Sequence, residues 1–187
     1  ETVSTTTVYY YGSTNLRASA AGVDSDTAMN SSNTYRGNHV DNYSVTANLK
    51  TRTHYFGVKG EEQAEYSQNF TALAAVRDTT VYTYSGEALD FTTTYNGGTI
   101  DSKAITGLAK KSYTDYVGNV KGEEIADYTY NYKGEAGVET VSTTTVYYYG
   151  LTNLRASAAG VDSDTAMNSS NTYRGNHVDN YSVTANL

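Results

Sequence analysis

Residues 1–49 of this chain return almost unchanged at residues 139–187, and this repetition constrains the fold more than any other feature of the sequence. The two copies differ at one position, where Ser13 in the first copy corresponds to Leu151 in the second. Their starting points set a period of 138 residues, so residues 1–138 form one full period and residues 139–187 begin the next. Such a repeat predicts units that each cover the next along a stack.

Each period contains a second, weaker duplication. Three short signatures recur in the same order: TYxG, then VKGEE, then VYTYSG or VYYYG. We interpret them as marking two related modules, which differ in length mainly because of the insert at 13–33. The signatures lie at 34–37, 58–62 and 81–86 in the first module and at 94–97, 120–124 and 146–150 in the second.

The residue pattern predicts an all-β fold. In IADYTYNY at 125–132, Tyr128, Tyr130 and Tyr132 share one face, as a half-buried strand requires. Thr, Tyr and Val are strand formers, and we expect at most a turn or two of helix, within 13–33. The predicted strands cover most of 3–11, 64–70, 79–84, 125–132 and 138–149.

Tyrosine takes the place of aliphatic core residues in this chain, which has 20 Tyr and no Trp. In VSTTTVYYYG at 3–12 and 141–150, tyrosines point to both faces of one strand, which suggests a strand covered on both sides. We therefore predict a tandem-repeat fibre, built of β-hairpins or like a β-solenoid, with aromatic layers. The layer residues are Tyr9, Tyr11, Tyr82, Tyr84, Tyr128, Tyr130, Tyr132, Tyr147 and Tyr149.

No pattern in the sequence points to catalysis. His39 (repeated as His177) and His54 have no metal-ligand spacing, and the chain has no Cys. The KGEE strings read as charged turns, because adjacent acids on a strand point to opposite faces. Asp24 and Asp26 lack the Gly and Glu of an EF-hand calcium loop. We expect no enzyme, no cofactor and no metal site.

Threonine pairs such as Thr5 and Thr7 are found in the flat ladders of ice-binding solenoids. Those ladders need short periods that align threonines coil after coil. A period of 138 residues is expected not to provide that alignment.

The charge and hydropathy limit the partners. A net charge of −7 argues against nucleic acid, which requires clustered Lys and Arg. No apolar run is long enough for a membrane span, and no signal peptide is visible. Covalent glycans suit a polar extracellular chain. The candidate Asn-x-Ser/Thr sites are Asn30, Asn42, Asn69, Asn168 and Asn180, with Asn30 and Asn42 as leading candidates.

The strings TYRGN, VKGEEIADYTYNY, TTVYYYG and TNLRASAAG resemble those of very long Tyr- and Thr-rich tandem-repeat proteins of uncultured bacteria. The resemblance spans the whole chain. It implies a giant repetitive polypeptide, exposed at the cell surface or secreted, with no enzymatic activity.

These observations predict a structural repeat protein that forms an extracellular filament and has itself as its main partner. The alternative is an adhesin stalk or a carbohydrate-binding surface that uses rows of exposed tyrosines. An enzyme is the third and weakest hypothesis. A pocket lined by unpaired tyrosines and acids would favour the alternative, and continuation of the repeat along an axis would favour the filament.

Overall fold

A computed structural model describes residues 2–39, 43 and 45–178, and these residues form ten β-strands and no helix. The strands lie in one antiparallel sheet in the order of the chain. The all-β class is therefore confirmed. The strands are β1 (Thr5–Tyr11), β2 (Met29–Arg36), β3 (Leu49–Phe56), β4 (Gln63–Phe70), β5 (Val76–Ser85), β6 (Ala88–Asn96), β7 (Lys110–Val117), β8 (Ile125–Lys133), β9 (Thr140–Tyr149) and β10 (Met167–Arg174).

The five predicted strands are confirmed as β1, β4, β5, β8 and β9, with small shifts at their ends. Within 13–33 the structure has no helix, and β2 begins at Met29 inside that range. The other half of the sheet was not predicted. The stacking of periods in a solenoid-like fibre stays a prediction.

The signatures mark irregularities that recur along the sheet. In both modules the TYxG string carries a β-bulge, between Thr34 and Tyr35 in β2 and between Thr94 and Tyr95 in β6. The VKGEE string forms the turn that follows β3 and, again, the turn that follows β7. A bulge adds one residue to one strand and bends it, so both modules bend at corresponding places.

The chain divides into two compact units, Glu1–Val81 with Gly97–Ile105, and Tyr82–Asn96 with Thr106–Leu187. In the first unit, one sheet face is covered by loops. The Gln68 amide on β4 donates to the carbonyl oxygens of Thr99 (2.8 Å) and Ser102 (3.1 Å) in the loop at 97–105. The apolar core on this face consists of Val8, Tyr10, Tyr35, Leu49 and Phe70.

The second unit has its own core of Val146, Tyr148 and Tyr173, with Tyr128 packed against it. Its insert lies against β8, where Arg155 and the backbone N–H of Ala156 both donate to Asp127. Leu151 is 98% exposed and Ser13 is also exposed. The one position that differs between the two copies therefore lies at an exposed edge of the insert.

Candidate functional site

The charged turns use their glutamates to cap the sheet rim. Glu62 follows the first VKGE turn, and its carboxylate accepts hydrogen bonds from the N–H groups of Gly60 (2.8 Å) and Met29 (2.9 Å). These two bonds join the turn before β4 to the start of β2. Glu124 and Glu139 repeat the arrangement, with Gly122 and Leu89, and with Gly137 and Lys110, as donors.

These backbone contacts favour the ionised carboxylate. The pKa of Glu62 lies below its usual 4.5, first because the Met29 N–H donates to it. The pKa of Glu139 is lowered in the same way, first by the Lys110 N–H. The interpretation of KGEE as a charged turn agrees with this geometry, in which the second Glu is a structural group rather than an acid–base catalyst.

A buried arginine organises the first unit. Arg52 on β3 is 1% exposed, and its guanidinium donates to Asn33 Oδ1 (2.9 Å), to the Tyr43 carbonyl oxygen (2.8 Å) and to Asp101. The guanidinium carbon also lies 4.3 Å from the centroid of the Tyr43 ring. Three strands or loops therefore meet at one cation.

Asp101 and His54 complete this cluster. Burial raises the pKa of Asp101, but the nearby His54 and the hydrogen-bonded Arg52 guanidinium outweigh it and leave the pKa below the usual 3.8. His54 Nε2 lies 3.4 Å from Asp101 Oδ1 without the alignment of a hydrogen bond, and its ring stacks on Tyr66 at 4.4 Å. The carboxylate serves as the counter-ion of Arg52, so the cluster has no group poised to abstract a proton.

In the second unit, Arg155 and Asp127 form a largely buried bidentate ion pair, and Arg155 also donates to the Val178 carbonyl oxygen (2.9 Å). They line a cleft of about 610 Å³. The other lining residues include Tyr128 and Leu154. Because the two charges neutralise each other, the cleft presents neither a free acid nor a free base.

The sheet face opposite the one that the loops cover carries rows of hydroxyl groups, and we call it the hydroxyl face. Antiparallel pairing brings threonines into register between neighbouring strands of one sheet, which differs from the coil-to-coil alignment of a short-period solenoid. Many of these hydroxyls bond to each other, as Thr114 does with Thr129 (2.8 Å) and Thr145 with Thr172 (2.9 Å). One such row consists of Thr92, Thr114, Thr129, Thr145 and Thr172.

The tyrosines chosen for the aromatic layers lie on four strands. Tyr128, Tyr130 and Tyr132 are neighbours on β8, with ring centroids 4.9 and 6.3 Å apart. Tyr113 and Phe91 extend this cluster onto β7 and β6. Layers that stack between periods stay a prediction. Of the other expected layer residues, Tyr9 and Tyr11 lie on β1, Tyr82 and Tyr84 on β5, and Tyr147 and Tyr149 on β9.

The candidate glycan acceptors are mostly engaged in side-chain hydrogen bonds. Asn30 Nδ2, the atom that a glycan would occupy, donates to Asn15 Oδ1 (2.8 Å), and Asn168 is bound in the same way to Asn153 (2.9 Å). Asn69 Nδ2 donates to Asp78 (2.6 Å). Glycosylation at these sites would break those bonds. Asn42 and Asn180 lie outside the described residues.

The remaining candidates have local structural contacts. Asp24 accepts hydrogen bonds from Thr27 Oγ1 (2.7 Å) and the Asp26 N–H (3.1 Å), and Asp162 repeats this turn. The His39 N–H donates to Thr6 Oγ1 (3.1 Å). Within the described part of the chain, no group of three or more His, Cys, Asp or Glu residues is arranged to bind a metal, and no helix is long and apolar enough to cross a membrane.

The feature that most distinguishes this molecule is its repeated pair of strands, β1–β2 and β9–β10. Thr6 Oγ1 donates to the Gly37 carbonyl oxygen (2.8 Å), and Thr144 does the same to Gly175 (2.6 Å). The isolated bridges match, since Tyr11 pairs with Leu16 and Tyr149 pairs with Leu154. The strand registers also match, and so do the turns that begin at Asp24 and Asp162. The two copies are therefore the same local structure.

Their neighbours differ. The outer edge of β2, which faces away from β1, is paired with β3. The outer edge of β10, which faces away from β9, has no partner strand among residues 2–39, 43 and 45–178. Sequence reasoning found the copies but not this edge, because β2 and β3 were not recognised as strands.

No protein-family model, curated protein or solved structure matches this chain. The role of the molecule is therefore argued from its own geometry.

Proposed function

We propose that this protein is a structural repeat protein that forms an extracellular filament by continuing its β-sheet from one period into the next. The observation that carries the proposal is the matching local structure of β1–β2 and β9–β10, one period apart. Because the second pair repeats the first, it offers the same edge on which the first pair holds the rest of the sheet.

The composition of the contacts suits a structural role. The buried charges are paired, as in Arg52 with Asp101 and Arg155 with Asp127. The turn glutamates are bound to backbone N–H groups, and the hydroxyl face is joined by bonds between neighbouring threonines. The excess of acids over bases, repeated along a filament, would keep neighbouring filaments apart.

An extracellular or cell-surface location and covalent glycans are parts of the same proposal, and they rest on the sequence resemblance and the polar surface. The exposed Ser, Thr and Tyr hydroxyls offer further attachment points. Intact-mass measurement and glycopeptide mapping of native material would test them, and unmodified copies throughout would remove the glycans from the proposal.

Electron microscopy of a protein with several consecutive periods tests the filament. The described residues of one period, 2–39, 43 and 45–138, contain eight strands, β1 to β8. At a strand spacing of about 4.8 Å, a continuing sheet gives an axial repeat of about 38 Å. We expect filaments with that repeat, and discrete globular particles would contradict the proposal.

A carbohydrate-binding surface is the second candidate, and Tyr9 is the observation that favours it. Tyr9 is 50% exposed on the hydroxyl face. Its copy Tyr147, however, is half-buried and hydrogen-bonded to Thr129 on β8 (3.1 Å). The exposure of Tyr9 therefore reflects a missing neighbour, and a continued sheet would close it. Binding of the chain to soluble polysaccharides that is lost in Tyr9→Ala would support this candidate.

A further inference from the structure

Strand β10 repeats β2 letter for letter, as MNSSNTYR at 167–174 and at 29–36. The inner edges are also bound alike, since Thr34 pairs with Thr7 as Thr172 pairs with Thr145. Whatever binds the outer edge of β2 therefore meets the same backbone and the same side chains on β10. In β2 that partner is known, because β3 pairs with it through Thr34 opposite Thr51 and Asn33 opposite Arg52.

The difference in burial between the copies shows what the partner covers. Ser31 and Asn33 are both fully buried. Their copies Ser169 and Asn171 are only half-buried, and Met167 is 52% exposed where Met29 is half-buried. Local sequence cannot cause this difference, since the strands are identical. The difference accompanies the β3–β4 hairpin beside β2 and the loop at 97–105 that lies over this face.

Three side-chain contacts show that the hairpin, and not β3 alone, is the unit that β2 recognises. Arg36 reaches past β3 and donates to the carbonyl oxygens of Leu49 (2.7 Å) and Phe70 (2.9 Å), the first and last residues of the hairpin, at its open end. Glu62 in the hairpin turn accepts from the Met29 N–H. On β10, Arg174 and Met167 hold the equivalent positions.

The third contact is the socket for Arg52. Asn33 Nδ2 donates to Tyr35 Oη (2.9 Å), which directs Asn33 Oδ1 to the Arg52 guanidinium. Asn171 is held in the same way by Tyr173 Oη (3.2 Å). A hairpin that carries the equivalent of Arg52 would therefore find its acceptor already oriented.

We propose that the outer edge of β10 binds the hairpin of residues 49–70 from a following period, in the register that β2 uses with β3. The proposal rests on the proposed filament and specifies its joint. The partner is a further copy of this chain's own repeat, in which Arg52 fills the Asn171 socket, Glu62 caps the Met167 N–H and Arg174 holds both ends of the hairpin.

Disulfide trapping tests the joint, because the chain contains no cysteine of its own. Residues directly opposite each other in antiparallel strands have Cα atoms about 4.5–5.5 Å apart, within the range a disulfide requires. The chain is extended after Leu187 by residues 50–70, and Thr172→Cys is combined with cysteine at the copy of Thr51. Both threonines lie on the hydroxyl face, where substitution does not disturb the Asn171 socket.

We expect rapid disulfide formation in this variant under mild oxidation. The matched control puts the second cysteine at the copy of Thr53, which lies opposite Ser170 rather than Thr172 in the proposed register. This control should yield about tenfold less cross-link, which corresponds to a preference of about 1.4 kcal/mol for the proposed register. Equal cross-linking in the two variants, or none in either, would overturn the joint.

A second measurement uses the unextended chain with a synthetic peptide of residues 49–70 that carries Thr51→Cys. The peptide should cross-link to Thr172→Cys but not to Thr34→Cys, whose strand edge is already occupied by β3. A peptide that links equally to both positions would contradict the proposal, as would disulfide-linked dimers of the Thr172→Cys chain in preference to the peptide product.

The joint and the filament can fail separately. Filaments with the expected axial repeat but without the Thr172 cross-link would overturn this joint and leave the proposed function standing. A specific cross-link in a multi-period protein that forms only discrete particles would support the joint and remove the filament.

Discussion

Arg52 is buried in the middle of a sheet face whose edges are packed by Tyr10, Leu49 and Phe70. Arg52 belongs to a row of residues that are paired across the five strands of the first unit, and four of the five are polar. The row consists of Val8, Asn33, Arg52, Gln68 and Thr79. A buried polar group must find partners or it destabilises the fold. Here Tyr43 and the loop at 97–105 provide partners for Arg52, and so the cluster fixes where that loop lies.

We predict that Arg52→Ala lowers the free energy of unfolding by about 3–5 kcal/mol, because it leaves Asp101 and Asn33 Oδ1 without their buried cation. Urea denaturation measures the change. Lys103→Ala is the matched control, because it removes a cation from the more exposed pair with Glu65 and should cost about 0–1 kcal/mol. Equal losses in the two variants would contradict the organising role of Arg52.

The turn glutamates predict a dependence of stability on pH. The folded pKa of Glu62 is lowered, so its contribution is present above its usual value of 4.5 and is lost as the pH falls through the lower folded value. Glu139 and Asp101 act in the same direction. We expect the melting temperature to fall steeply between about pH 4.5 and pH 2, the range below the usual pKa of these groups.

The variant Glu62→Gln should lower the melting temperature at pH 7 and flatten its fall in acid, because an amide cannot accept two backbone N–H groups with two equivalent oxygens. The neighbouring exposed Glu61→Gln is its control. The same acid profile in Glu62→Gln and the parent chain would rule out the capping role.

At the scale of single strands, the sequence predicted those whose side chains alternate cleanly. β8 and β9 carry Tyr, Val and Thr in period two, and they are confirmed. β3 was missed because its inward-facing residues include the buried Arg52 and the half-buried His54, which no hydropathy pattern assigns to a core. β10 and β2 were missed for a related reason, since Ser31 and Asn33 are buried only through their neighbours.

The bulges and the Arg52 cluster could not be predicted from the sequence either. A bulge shifts the register by one residue and ends the simple alternation, as at Asp127, the extra residue between the pairs of Tyr128 with Asp115 and Ala126 with Tyr116. The Asp127 carboxylate then binds Arg155 from the insert. Contacts over such distances in sequence depend on where the loops fold, and period-two reasoning does not see them.

The hairpin turn between β3 and β4 gives a test at this scale. Gly57 has φ +110°, and a Cβ there would lie 2.8 Å from the Glu61 carbonyl oxygen, whereas Gly60 has φ +83° and open space around it. Both Gly→Ala changes strain the backbone, but only Gly57→Ala adds a clash. We expect Gly57→Ala to cost about 1–3 kcal/mol more than Gly60→Ala in urea denaturation. Equal costs would show that the turn relaxes around the methyl group.

For the whole molecule, the even number of strands in a period is what makes repetition possible. The described residues of one period contain eight strands, β1 to β8, so in an antiparallel meander β1 and β9 run in the same direction and expose corresponding edges. An odd number would reverse the strand and present a different edge to the following period. Because the local structure of the two copies is also the same, a following period could pair with β10 through the contacts that β3 makes with β2.

Hydrogen exchange can show directly whether the outer edge of β2 or β10 has a partner strand. The two strands have the same sequence and therefore the same intrinsic exchange rates. We predict that the outer-edge amides of β10 exchange at least about tenfold faster than those of β2. A tenfold ratio corresponds to a difference of about 1.4 kcal/mol in the local free energy of opening. NMR resolves the two copies, which mass spectrometry of identical peptides does not. The inner-edge amides, paired with β1 and β9, are the internal control and should be protected alike. When the chain is extended by residues 50–138, the outer-edge amides of β10 should slow to the rates of β2. Equal protection in the unextended chain would mean that β10 already has a partner, and an unchanged rate in the extended chain would mean that the following period does not pair there.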